Sequence, residues 1–138
     1  TNEKGEKEQI VMIHCAVMGS IERFMSTLIE HLAGDFPLWL CPTQVAVIPV
    51  KDIHEDAGYE MENVLKNSGI RTAVFPSNDS LGKRIHKAKA LRAPYVIVLG
   101  DKEKESGMLT IEKRDGTKIQ MTLTDLTTLL ETEIKNRS

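Results

Sequence analysis

The run Val74-Phe75-Pro76-Ser77-Asn78-Asp79-Ser80-Leu81-Gly82-Lys83-Arg84-Ile85-His86-Lys87-Ala88-Lys89-Ala90-Leu91-Arg92-Ala93-Pro94-Tyr95-Val96-Ile97-Val98-Leu99-Gly100-Asp101-Lys102-Glu103 decides how this chain folds. It reads as a strand end, a polar loop over residues 76–80, a basic helix, and the apolar strand Tyr95 to Leu99 closed by a polar turn. Leu81, Ile85 and Ala88 recur at helical spacing and mark the face that packs on a sheet. Lys83, Arg84, His86, Lys87, Lys89 and Arg92 occupy the remaining surface, leave it almost free of acids, and attract phosphate. Two strands separated by a helix imply a right-handed crossover between parallel neighbours. Asn78 stands where loop becomes helix, so its amide either caps backbone N–H groups or turns outward to a base edge.

Working outward, Gln44 to Val50 is a buried strand, and residues 54–68 form a helix with Ala57, Met61, Val64 and Leu65 inward and Gly69 just past its end. Ile70 to Phe75 is the next strand. After the central run, Met108–Lys113 and Lys118–Met121 flank Arg114-Asp115-Gly116-Thr117, a hairpin signal that adds an antiparallel pair. Thr122 and Asp125 open a last helix with the stripe Leu126, Leu129, Leu130 and Ile134. The fold class is therefore α/β, a mixed sheet of about five strands with helices on both faces.

On the N-terminal side, residues 1–9 are charged and unpatterned, while Ile10 to Val17 alternates and reads as a strand. Gly19-Ser20 then opens a helix with the stripe Ile21, Phe24, Leu28, Ile29 and Leu32, stopped by Gly34. Asp35 to Pro42 is a Pro-bounded apolar connector of the kind pinned between two packed bodies, and the boundary falls there, giving residues 1–42 and 43–138.

Composition limits the function classes. The 138 residues are 41% hydrophobic, enough for a domain core, and the net charge of -2 excludes a uniformly basic RNA coat in favour of a local patch. Cys15 and Cys41 sit in apolar surroundings and read as buried reduced thiols. No apolar run reaches the roughly 18 residues of a membrane span and no signal peptide heads the sequence, so the reading is a soluble intracellular protein without membrane contact. No Gly-rich phosphate loop follows Val50 or Phe75, which argues against a flavodoxin-like small-molecule domain.

Two segments resemble a known family. Residues 12–24 (Met-Ile-His-Cys-Ala-Val-Met-Gly-Ser-Ile-Glu-Arg-Phe), continuing through Leu28-Ile29-Glu30-His31 and Phe36-Pro37-Leu38-Trp39-Leu40, resemble the end of the class II catalytic domain, with motif 3, in the threonyl-tRNA synthetase family. Asn78, Leu81-Gly82-Lys83, Ile85, Tyr95 through Glu103 and Ser106-Gly107 resemble that family's C-terminal anticodon-binding domain. The resemblance implies that Arg23 faces ATP phosphates, that Ser20 and Gly19 line the adenylate pocket, and that His14 is one zinc ligand where zinc holds the threonine amino and hydroxyl groups. It also implies that Asn78 and Glu103 contact anticodon bases while Lys83, Arg84, His86 and Lys87 hold the backbone. On the first hairpin strand the family's basic residue aligns near Glu112, and Lys113 and Arg114 follow it.

As the resemblance has it, the full-length parent is a threonine–tRNA ligase that forms threonyl-adenylate from ATP and threonine and transfers threonine to tRNA. It would use zinc and Mg-ATP, as a homodimer in the cytoplasm, with the mitochondrion the other compartment open to it. The remaining zinc ligands and the motif 2 Arg are missing from these residues, so this chain is expected to be catalytically incompetent alone and to hold no cofactor. Its partners would be the tRNA(Thr) anticodon stem-loop and the missing catalytic domain. The competing reading is a non-catalytic RNA- or protein-binding paralogue.

Overall fold

The computed structural model describes residues 1–137 and falls into two compact units, Thr1–Ala33 and the residues from Gly34 onward. The second unit is built on a five-stranded sheet in the order β2-β1-β3-β4-β5, comprising β1 (Val45–Pro49), β2 (Thr72–Val74), β3 (Tyr95–Leu99), β4 (Leu109–Lys113) and β5 (Lys118–Met121). β1 runs parallel to β2 on one side and to β3 on the other, pairing Val45 with both Thr72 and Tyr95. Every residue of β1 is buried, as a strand covered on both faces requires, and its sequence is accordingly a continuous apolar run rather than an alternation. β3–β4 and β4–β5 are antiparallel, so the sheet is mixed.

Helices cover both faces. Val45, Val47, Ile97 and Leu99 point toward α2 (Glu55–Asn67) and the C-terminal helix (Leu123–Asn136), meeting Met61, Leu65, Leu126 and Leu130. Ala46, Ile48 and Val96 point the other way, toward Leu81, Ile85 and Ala88 of the helix Leu81–Ala90, here α3. A short helix, α4 (Asp101–Ser106), follows β3, and the C-terminal helix is α5. At Gly58, α2 lies so close to β1 that a Cβ would come within 3.0 Å of the Pro49 ring, which explains the glycine. The hairpin signal at Asp115-Gly116 is realised, with Gly116 at φ +85° and the Thr117 N–H donating to Asp115 Oδ1 at 2.8 Å.

Three expectations about this unit need correction. Val64 is 46% exposed, because α2 turns only its Met61 and Leu65 side into the core. The second strand pairs over Thr72–Val74 alone, while Ile70 is buried in the core without joining the ladder. The unit also begins at Gly34 rather than at residue 43. The connector winds into a single 3-10 turn at Leu38–Leu40, buries Leu38 and Cys41, and is tied down by hydrogen bonds. Gln44 Nε2 donates to the Leu38 carbonyl at 2.9 Å, and the Arg71 guanidinium donates to the Cys41 and Trp39 carbonyls, each at 2.8 Å. An apolar segment whose carbonyls are satisfied by one body belongs to that body.

The first unit contains α1 (Ile21–Leu32), capped by Ser20, whose hydroxyl accepts the Arg23 N–H at 3.2 Å. Ile10 to Val17 is not a strand. A strand exists by hydrogen bonding to a neighbour, nothing among the described residues pairs with this segment, and Val11 and Ile13 are 92% and 91% exposed. Cys15 lies in it and is exposed, contrary to its reading as a buried thiol, whereas Cys41 is buried. Among the described residues no helix is long and apolar enough to cross a membrane.

Candidate nucleic-acid interface

β1 lies between β2 and β3, so the chain leaves the carboxyl end of β1 toward one side of the sheet and that of β2 toward the other. This is a topological switch point, where open α/β sheets leave a crevice for ligands. Three loops meet the solvent there: residues 50–55 after β1, 75–80 after β2, and 100–103 after β3. Asn78 is carried by the second and Glu103 by the third.

Asn78 is exposed and its side chain bonds to no other group among the described residues. The N-cap position of α3 is Ser80, two residues on. Of the two roles its position allowed, capping is therefore not the one adopted, and the amide faces outward. Glu103 is half-buried: Oε2 accepts the Gly100 N–H at 3.2 Å and Oε1 accepts the Thr110 hydroxyl at 3.1 Å. Each oxygen keeps acceptor capacity, and the residue lines an open concavity of 810 Å³ with Thr110 and Gln120. An outward amide and an oriented carboxylate match the Watson–Crick edges of unstacked bases.

The basic helix is more selective than its composition. Lys83 Nζ lies 2.7 Å from Asp79 Oδ1, and Lys87 pairs with the other oxygen, so the two lysines share one carboxylate at the loop–helix junction. Their hydrogen bonds, Lys83 first, hold the Asp79 carboxyl down to about 2. The helix carries no acid of its own, as expected, but β4 brings one to it: Lys89 pairs with Glu112 at 2.6 Å. His86 is exposed on this helix.

Arg84 does not belong to the phosphate-binding set. Its side chain is buried, with Nη1 donating to the Pro49 and Phe75 carbonyls and Nη2 to the Val50 carbonyl at 3.2 Å. The spacing contained the signal, because residue 84 is three past Leu81 and four before Ala88 and thus faces the sheet.

Lys113 and Arg114 stand apart from Asn78 and Glu103. Lys113 pairs with Tyr95 at the start of β3, about 13 Å of strand away from Leu99, and its ammonium sits 5.7 Å above the Tyr95 ring. Arg114 is a structural clamp, donating to the Asp35 carboxylate and to the Phe36 and Arg92 carbonyls at 3.0 and 2.8 Å. A guanidinium spent on the connector is not available to RNA.

Three residues at the crevice carried no recognisable pattern in the sequence, Lys51, His54 and Glu55, and Asp101 lay in the recognised run Tyr95 to Glu103 without a role of its own. His54 is buried, with Nε2 2.9 Å from Asp101 Oδ1, and Lys51 Nζ reaches Asp101 Oδ2 at 3.3 Å. The hydrogen bond to His54, then that to Lys51, lowers the Asp101 carboxyl below its ordinary range. Glu55 Oε1 accepts the Ser77 N–H at 2.6 Å and the Ser77 hydroxyl, and these bonds lower its carboxyl.

In the first unit, Gly19 adopts φ +63° with open space around it, Ser20 caps α1, and Arg23 is exposed. His14 is exposed, and no group of three or more His, Cys, Asp or Glu side chains poised for a metal occurs among the described residues. The residues present do not by themselves fit a zinc site.

Comparison with known proteins agrees with the second unit's architecture. The anticodon binding domain family matches residues 44–133. The chain is similar to the threonine–tRNA ligase of Thermotoga neapolitana, with 46% identity over 110 residues covering 80% of this chain and 17% of that protein. It is also similar to the threonine–tRNA ligase of Francisella tularensis subsp. novicida, with 39% identity over 135 residues covering 97% of this chain and 21% of that protein. The chain thus spans about a fifth of the length of these curated relatives. Among solved structures it is similar to the RNA-binding domain of threonyl-tRNA synthetase from Cryptosporidium parvum Iowa II, with a TM-score of 0.78, 26% identity, and coverage of 86% of this chain and 30% of that one. A prolyl-tRNA synthetase from Cryptosporidium parvum shares the fold at a TM-score of 0.64 and 19% identity, over 73% of this chain and 22% of that one. With the family matched across the whole sheet and the crevice loops, the chain belongs to the anticodon-binding domain family.

Proposed function

We propose that this chain is the anticodon-binding part of a threonine–tRNA ligase, in which Asn78 and Glu103 read bases of the unstacked anticodon loop while Lys83 and Lys87 hold its backbone. The observation that carries this reading is the outward, uncapped Asn78 amide beside a lysine pair, across the switch point from Glu103. The similarity to threonine–tRNA ligases over 80% to 97% of the chain supports the choice of amino acid. The parent enzyme would form threonyl-adenylate from ATP and threonine and transfer threonine to tRNA, as a cytoplasmic homodimer. Zinc and Mg-ATP are cofactors of that parent, to which this chain would add His14 for the metal and Gly19, Ser20 and Arg23 for the nucleotide pocket.

The test is a salt titration of affinity for the threonine anticodon stem-loop and for an unrelated one. Lys87→Ala should weaken both loops by a similar factor and reduce the salt slope by about 0.7, the single-strand value for one phosphate contact. Asn78→Ala should cost about 1 kcal/mol against the threonine loop and much less against the other. Equal losses for both loops with Asn78→Ala would overturn its role as a base reader.

A further inference from the structure

We infer that the turn after β1 is the positioning element of this interface, Glu55 setting Asn78 and its neighbour His54 setting Glu103. The inference rests on the reading of Asn78 and Glu103 as base contacts. Among the described residues no side-chain hydrogen bond joins the 76–80 loop directly to the 100–103 turn. Both are fastened to the same two consecutive residues instead.

His54 is 1% exposed, and its ring makes two bonds. Nδ1 lies 3.3 Å from the Lys51 backbone nitrogen, which can only donate, so Nδ1 is the acceptor and Nε2–H donates to Asp101 Oδ1 at 2.9 Å. Asp101 is the first residue of α4 and Glu103 the third. This helix has six residues and buries none of them, too short and too exposed to hold its own orientation. Its direction is therefore set by polar contacts at its first turn: Glu103 is held by the Thr110 hydroxyl of β4, and the Asp101 end is held by the bond to the buried His54 ring. Glu55 does the same for the other loop. Its carboxylate takes both the backbone N–H and the hydroxyl of Ser77, the residue before Asn78. Two loops that must present groups to neighbouring bases are thus indexed to one rigid turn.

The experiment measures affinity of this chain for the threonine anticodon stem-loop and for loops with each anticodon base replaced in turn, with thermal melting to confirm that every variant is folded. Glu55→Ala should lose about fivefold in discrimination at whichever base Asn78→Ala stops reading, and leave the other bases alone. Glu55→Gln, whose carbonyl still accepts from Ser77, should retain it. His54→Asn keeps an acceptor for Lys51 but falls short of Asp101, and should lose discrimination at the base that Glu103→Ala stops reading; His54→Gln, long enough to donate to Asp101, should restore it. Asp101→Ala removes the same bond from an exposed side chain without touching the buried ring, and must reproduce His54→Asn. A uniform loss across all loops, or unchanged discrimination in folded variants, overturns the inference. A wild-type chain that binds all loops equally overturns the anticodon reading itself and this inference with it.

Discussion

The guanidinium of Arg84 reaches inward from the basic helix to the Val50 carbonyl at 3.2 Å, while its other nitrogen serves Pro49 and Phe75. It thereby joins the carboxyl ends of β1 and β2. Arg84→Ala leaves these carbonyls without a donor and should destabilise the fold by about 2 kcal/mol, once the cost of burying the charge is set against the bonds it makes. Urea denaturation measures this. The salt slope of RNA binding by the folded variant should not change, in contrast with Lys87→Ala.

Asp79 gives a pH dependence with a definite sign. Its folded carboxyl titrates at about 2, against an ordinary value of about 3.9. A depressed carboxylate contributes stability that is present above the ordinary value and lost as the pH falls through the folded one. Asp79→Asn should therefore flatten the loss of stability between about pH 4 and pH 2, as read from urea midpoints across that range. At neutral pH the same variant frees Lys83 and Lys87 and should raise affinity for any stem-loop at low salt.

Tyr95 works in the opposite direction. Its buried hydroxyl donates to both oxygens of Glu133, at 2.9 and 2.8 Å, and burial first, then Glu133, raises its ionisation above the usual phenol range. Stability from this neutral hydroxyl is present below about pH 10 and is lost as the pH rises through the folded value. Tyr95→Phe should cost about 1 kcal/mol at neutral pH and make alkaline unfolding less steep, as followed by circular dichroism.

The two cysteines should separate in a thiol-labelling time course. Cys41 is 2% exposed, its Sγ–H donates to the Phe36 carbonyl at 3.3 Å, and burial raises its pKa against an opposing pull from Arg71. Cys15 is exposed. Labelling at Cys41 should be slower than at Cys15 by at least about tenfold, and Arg114→Ala, which loosens the connector around Cys41, should close much of that gap. Mass spectrometry of the labelled peptides decides it.

The sheet, its mixed character and the helices on both faces were legible in the sequence because each rests on a local pattern: the apolar runs at Val45 and Tyr95, the spacing of Leu81, Ile85 and Ala88, and the Asp115-Gly116 turn. Properties that depend on partners were not. Ile10 to Val17 has the composition of a strand but no neighbour to bond, Arg114 looks like a surface cation until the fold brings it the carbonyls it serves, and for Arg84 the spacing gives the inward direction but not the carbonyls it meets. The base-reading candidates Asn78 and Glu103 were found through the family resemblance. His54 and Glu55 escaped because their partners, Asp101 and Ser77, lie 47 and 22 positions away.

The central position of β1 has a consequence for the order in which the sheet is made. Val45 is synthesised first, yet one of its two neighbours, Tyr95, emerges about fifty residues later. Until then β1 has only the three-residue β2 beside it, an isolated pair too short to persist in water. Closing so long a loop carries an entropic cost that the β4–β5 hairpin, formed between near neighbours, does not bear. The docking of β3 against β1 therefore carries a larger loop-closure cost than the hairpin pairing of β4 and β5. The loops after β1 and β3, which carry His54 and Glu103, come into register in that same step, since both hang from the strands it joins.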